Sequence, residues 1–203
     1  SSPLTSKNIA LRVNGGTAQT TISDASTGAF SFSGVSVFLG DTITVYINGE
    51  TEKGNTVTIT DGVTPITNIK LIQNNVVIQS HNGTSATGIS NMAKWNGASD
   101  PTNMLFITTT GPPATVTVND GITLYVYSGS KFTPGGNTTV GTGNIKIRGT
   151  WTATGTETIA LKGDWDSSGG TFTPASSTIT FNGTSAQALT TGTSHFYNVM
   201  LDN

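Results

Sequence analysis

Apolar residues alternate with polar ones along most of the chain, the period-two pattern of strands with one face turned inward. Ile9, Leu11 and Val13 alternate with Ala10 and Arg12; Phe30 and Phe32 with Ser31 and Ser33; Ile43, Val45 and Ile47 with Thr44 and Tyr46. The rule continues through Val57/Ile59, Val116/Val118, Ile122/Leu124/Val126, Ile145/Ile147, Ile159/Leu161 and Ile179/Phe181. Thr fills the outward positions, where a β-branched side chain with a polar end fits a pleated, half-solvated surface. The breaks are Asn14-Gly15-Gly16, Asn48-Gly49, Asp61-Gly62, Asn82-Gly83, Asp120-Gly121 and Asn182-Gly183, sequences that accept the positive φ of tight turns. One helix is expected, Ile89 to Trp95, with Ile89, Met92 and Ala93 at helical spacing and Gly97 to stop it. The pattern predicts an all-β protein.

Two stretches differ in grammar. Residues 1–73 carry short strands at roughly eight- to twelve-residue spacing, as in a sandwich. Residues 74–203 repeat internally. Ile145–Trp151 aligns with Ile159–Trp165 at a spacing of 14, Phe132-Thr-Pro134 with Phe172-Thr-Pro174 at 40, and His81-Asn-Gly-Thr-Ser-Ala86 with Phe181-Asn-Gly-Thr-Ser-Ala186. Such self-similarity marks coil-by-coil stacking, and a β-solenoid turn needs roughly 14 to 25 residues. The reading is an N-terminal β-sandwich followed by a β-solenoid-like domain, with a second antiparallel sandwich as the alternative for residues 74–203.

Within the first stretch, Thr21–Val35 followed by Gly40–Tyr46 resembles the transthyretin-like or carboxypeptidase-regulatory-like sandwich modules of secreted bacterial proteins. There an Asp-x-x-Gly-x-Phe hairpin precedes a Gly-Asp turn and a long strand; here Ser26-Thr27 makes the turn one residue longer. The resemblance implies an Ig-like scaffold and no chemistry. The tail, with Gly170-Thr-Phe-Thr-Pro174, Ile179–Thr184, Gln187 and Phe196–Leu201, resembles the Thr/Gly/Asn-rich extracellular repeats of large bacterial surface proteins. That likeness implies a cell-surface location without catalysis.

Composition narrows the function classes. Thr, Ser, Gly and Asn make up half of the 203 residues, and only 9 Lys+Arg and 11 Asp+Glu are present. Nine cations do not supply a phosphate-neutralising face, so a nucleic-acid partner is not expected. The lack of Cys excludes disulfides, thiol catalysis and Cys-bearing zinc sites. No run reaches the ~18–20 apolar residues of a membrane helix. A surface of Thr, Ser and Asn suits an extracellular or cell-surface protein, and a start at Ser1 fits either removal of a signal peptide or an excised fragment.

Candidate sites are few. His81 and His195 have no carboxylate beside them and read as surface histidines, and no serine sits in a nucleophile elbow. Gly163–Gly170 places Asp164 and Asp166 beside a glycine turn, too few acids for Ca²⁺. Asp24, Asp61 and Asp120 are read as turn caps. Lys7, Lys53 and Lys70 lie near asparagines, without a carboxylate placed to assist an isopeptide link. Asn82, Asn137 and Asn182 match the glycosylation pattern. Trp151 and Trp165 occupy equivalent places in the 14-residue alignment and would present stacking faces for a glycan or form a core ladder. No catalytic group or cofactor is expected.

What remains are the ends. Strand-like Phe196, Val199 and Leu201 run almost to the end of the sequence, and Leu4, Ile9 and Leu11 lie near its start. The leading expectation is a secreted structural subunit whose copies join head to tail by β-strand addition between these segments, giving an extracellular filament or surface appendage. The alternatives are an adhesin or carbohydrate-binding module and, third, a polysaccharide-acting enzyme on a solenoid.

Overall fold

A computed structural model describes residues 4–81 and 86–202. The chain is all-β and contains a β-solenoid. The first strands are β1 (Asn8–Val13), β2 (Gln19–Ile22), β3 (Thr42–Ile47), β4 (Asn55–Ile59) and β5 (Asn75–Ile78), followed by a single helical turn, α1 (Ile89–Met92). Then come β6 (Phe106–Thr109), β7 (Thr115–Val118), β8 (Thr123–Val126), β9 (Lys131–Phe132), β10 (Asn137–Val140), β11 (Ile145–Ile147) and β12 (Thr150–Thr152). The rest are β13 (Thr158–Leu161), β14 (Trp165–Asp166), β15 (Thr171–Thr173), β16 (Thr178–Phe181), β17 (Leu189–Thr190) and β18 (Asn198–Leu201).

From β7 onward each coil lays one strand on each of two or three faces, and every strand pairs in parallel with its counterpart in the next coil. A nine-stranded sheet runs β17-β14-β11-β8-β5-β4-β3-β1-β2, a six-stranded sheet β18-β16-β13-β10-β7-β6, and a three-stranded sheet β15-β12-β9. Successive partners Val116, Thr138, Ile159, Ile179 and Val199 lie 22, 21, 20 and 20 residues apart, which sets the coil length. Inward positions alternate with outward ones, as β8 and β10 show, so the apolar stripes of all faces meet in one core.

The coil length corrects the 14-residue alignment. Ile145 lies on the nine-stranded sheet and Ile159 on the six-stranded one. The alignment therefore matched two faces of neighbouring coils, because each face carries the same apolar alternation. The 40-residue spacing of Phe132 and Phe172 is a true one: it spans two coils, with Trp151 stacked between them.

Corners explain the demand for Gly, Asn and Asp. A Cβ on Gly143 would lie 1.9 Å from the Ile122 carbonyl oxygen of the preceding coil, so that corner closes only on bare backbone. Gly143→Ala is expected to cost about 1–3 kcal/mol through this clash, read as a lowered urea midpoint. Polar side chains bond from coil to coil: Asp120 accepts the Thr142 N–H, Asn137 that of Thr158, and Asn144 that of Asp164. Asp24 and Asp61 cap local turns as expected, whereas Asp120 works between coils.

The N-terminal region departs from the two-sheet expectation. β4 and β5 pair in parallel across residue 73, so both stretches share one sheet. On its outer face Ile9, Leu11, Ile43, Val45 and Ile47 form a second apolar cluster. Residues 24–41 and 61–73 lie over this cluster without forming strands. Positive φ at Gly28, Gly34, Gly62 and Asn68 bends both segments repeatedly, and Pro65 lacks an N–H, so neither runs straight long enough to hold a ladder.

On the inner face, α1 packs against β4 and β7, and Ile89, Met92, Met104 and Leu105 join the core beside Ala10, Tyr46 and Val57. Trp95 packs against this plug, with the Arg12 guanidinium 3.9 Å above its ring. The helix is shorter than expected, yet it seals this end of the solenoid core. No helix among the described residues is long and apolar enough to cross a membrane.

Candidate assembly surface at the terminal coil

The opposite end of the core is built from β16, β17, β18 and the chain between them. β18 takes its place by parallel pairing with β16, through Ile179↔Val199 and Phe181↔Leu201. β17 pairs with β14 through Trp165↔Leu189 and Asp166↔Thr190. Both are edge strands, with no partner on their outer sides among the described residues. Phe196 is half-buried and anchors the coil, its ring 5.2 Å from Trp165 and 5.9 Å from Phe172. Gln187 fastens the preceding corner, accepting the Gly183 N–H at 2.9 Å and donating to the Leu161 carbonyl at 3.2 Å.

Beyond these anchors the surface is apolar and open. Leu189, Tyr197, Val199, Met200 and Leu201 are between 48% and 73% exposed, although Val199 and Leu201 continue the rows of buried Ile179 and Phe181. A strand edge and an uncovered core layer thus coincide.

The proposed N-terminal counterpart needs correction. β1 pairs with β2 on one side and β3 on the other, which leaves Ile9 and Leu11 buried in the outer-face cluster with no free edge. Leu4 is half-buried against the same cluster. The free edge here belongs to β2, whose Ile22 is 72% exposed. Sequence alternation located the strands but carried no information on which one is outermost.

Trp151 and Trp165 are fully buried, on different sheets, with ring centroids 6.0 Å apart in the core. Neither ring face reaches a ligand, so the glycan platform at these residues is withdrawn and the core-ladder alternative holds. Asn137 and Asn182 are half-buried at coil corners, and Asn82 lies outside the described residues. His195 is exposed, but His81 is buried, against expectation. Lys7 pairs with Glu52 at 2.8 Å. Asp164 accepts the Ala188 N–H and Asp166 pairs with Arg148, so these carboxylates serve the fold. Among the described residues no cluster of acids and histidines is arranged to hold a metal.

One grouping went unnoticed in the sequence. Outward positions of β8, β11 and β14 bring Tyr125, Lys146 and Asp166 into register, with Tyr127 and Arg148 beside them. Charges that look scattered in sequence are neighbours here, because residues about 21 apart stack. The polar partners of buried Ile145 and Ile147 were the available signal.

Several carboxylates are held below their usual range. Glu52 falls to about 2 through hydrogen bonds from Lys7 and Thr51. Arg148 holds Asp166 well down, and the Thr27 and Ser26 donors do the same for Asp24. Burial pushes Glu157 up, but Thr154 and Gly155 donors outweigh it. A depressed folded-state pKa stabilises the fold above the unfolded value and loses that contribution as pH falls through the folded one. Thermal melts are therefore expected to be flat above pH about 5 and to decline from about 4.5 toward 2; an unchanged melting temperature at pH 2.5 would contradict this.

No family model, curated protein or solved structure matches this chain.

Proposed function

We propose that this protein is a secreted structural subunit whose copies assemble by β-strand addition at the terminal coil, giving an extracellular filament or cell-surface appendage. One observation carries the reading. Among the described residues the solenoid core is plugged at one end by α1 and Trp95, while at the other β17 and β18 present an apolar layer with two open sheet edges. Parallel coils are stable because neighbours cover them, and a sibling chain covers the last one in the same way. The free β2 edge offers an unlike surface for this contact, and a head-to-tail contact whose rotation does not close propagates. A net charge of −2 offers little self-repulsion.

The experiment compares the intact chain with one lacking residues 196–203, by sedimentation and negative-stain microscopy. The intact chain is expected to form extended assemblies and the truncated one to remain monomeric. Equal assembly of both sinks the reading.

The adhesin alternative now rests on Tyr125, Tyr127, Lys146 and Arg148, an outward group of aromatic and cationic side chains suited to stacking and hydrogen bonding on sugars. Glycan binding by the monomer, abolished by Tyr125→Ala, favours it.

A further inference from the structure

Lys53 lies in the connection between β3 and β4, and Asn103 lies between α1 and β6, 50 positions further along the chain. The fold brings their side chains together: Lys53 Nζ donates to Asn103 Oδ1 at 3.4 Å. Asp100 stands on the other side of the same amide, its Oδ2 accepting from Asn103 Nδ2 at 2.9 Å. An amine, a carboxamide and a carboxylate therefore meet at one point. Lys53 is half-buried and Asn103 is 6% exposed, with Met104 and Leu105 in the core beside it.

The amide is held in one orientation. Among the described residues its oxygen meets donors, Lys53 and the Gly49 N–H at 2.8 Å, and its nitrogen meets acceptors, Asp100 and Asn48 Oδ1 at 3.4 Å. Turning it over would set donor against donor. The Asn103 backbone is clamped as well, its carbonyl accepting from Asn55 Nδ2 at 3.0 Å and its N–H donating to Asp100 Oδ1 at 3.2 Å. A capped turn accounts for the Asp100 contacts, but it does not call for an amine on the far side of the amide. The Gly49 N–H polarises the carbonyl and lies where negative charge would develop on Oδ1 during attack at Cγ. Burial pushes the Asp100 carboxyl up, but donors from Asn103 and Thr102 outweigh it and keep it ionised, a base beside Nδ2.

We propose that Lys53 and Asn103 become joined by an intramolecular isopeptide bond, with Asp100 carrying the proton. The uncharged Nζ adds to Cγ and forms the new C–N bond. The proton it sheds passes through Asp100 to Nδ2, the Cγ–Nδ2 bond breaks, and ammonia leaves with that proton. One amine and one primary amide become one secondary amide and one ammonia, with no oxidant or cofactor needed. The bond ties the nine-stranded sheet to the chain that plugs the core, so the plug cannot part from the sheet. It also closes a long loop, which restricts the unfolded chain.

Intact-mass measurement of the denatured full chain, after incubation in neutral buffer, is expected to fall short of the sequence mass by one ammonia. Trypsin should release residues 13–70 joined to residues 95–131, because cleavage after Lys53 is blocked. Lys53→Arg keeps the positive charge and should give the full mass and separate peptides. Asp100→Asn keeps the side-chain shape and should slow the loss of ammonia by about tenfold or more. A parent chain of full sequence mass overturns the proposal, whether or not either variant folds. So does ammonia loss that persists in Lys53→Arg, which marks a succinimide at an Asn-Gly pair such as Asn48-Gly49. A link formed at the parent's rate in Asp100→Asn overturns the role given to Asp100. Every readout is taken on the single chain, so assembly does not enter it.

Discussion

Replacing Trp151 by Ala is expected to destabilise the fold by about 3–5 kcal/mol, the range for deleting a large buried aromatic. Its ring is fully buried, 4.8 Å from Phe132, 6.0 Å from Trp165 and 6.1 Å from Phe172. Removing it leaves a void bordered by two coils, and inter-coil hydrogen bonds on either side keep those coils from collapsing into it. Trp151→Phe separates volume from polarity. The indole Nε1 is buried without a hydrogen-bond partner among the described residues, so Phe gives up ring area but also removes an unsatisfied donor. It should cost much less than Ala. Urea unfolding followed by far-UV circular dichroism measures both, and an Ala midpoint close to that of the parent chain would show that the ladder does not support the solenoid.

The second large effect is on assembly. Val199→Lys combined with Leu201→Lys is expected to abolish polymer while leaving the fold intact. These side chains are 49% and 73% exposed, and substitutions at exposed sites usually stay within about ±0.5 kcal/mol. Two ammonium groups on the open layer would have to be desolvated for another sheet to dock, and Lys on an edge strand is a common natural block to such docking. Sedimentation of the parent should show extended species, and the double variant a monomer with an unchanged melting temperature. Filaments of normal length from the double variant would mean that the terminal coil is not the contact surface.

How far the sequence reaches is clearest at particular residues. Alternation in Ile43–Ile47 and Ile145–Ile147 marked strands correctly, because a strand's side chains alternate whatever it pairs with. The same alternation at Phe30 and Phe32 marked a strand that does not form, since apolar contact with the second cluster persists without a ladder. The exposed apolar terminal segment was legible as a pattern in Phe196–Leu201. That β1 is interior and β2 is the edge was not, because pairing order leaves no trace in local periodicity.

The Trp pair shows the same division. Sequence similarity set Trp151 and Trp165 at equivalent places; the coil length put one on the three-stranded sheet and the other on the nine-stranded, with both rings indoors.

By itself, then, the sequence determined an all-β chain, a repetitive C-terminal stretch and a composition poor in charge. Those are local properties, decided by side-chain shape, backbone freedom and solvation within a few residues. Tertiary structure alone decided the length of a coil, which aromatic faces are covered, which edges stay open among the described residues and where a cavity remains over the outer sheet face. Each of these depends on contacts between residues about 20 or more apart, which only the stacked backbone brings together.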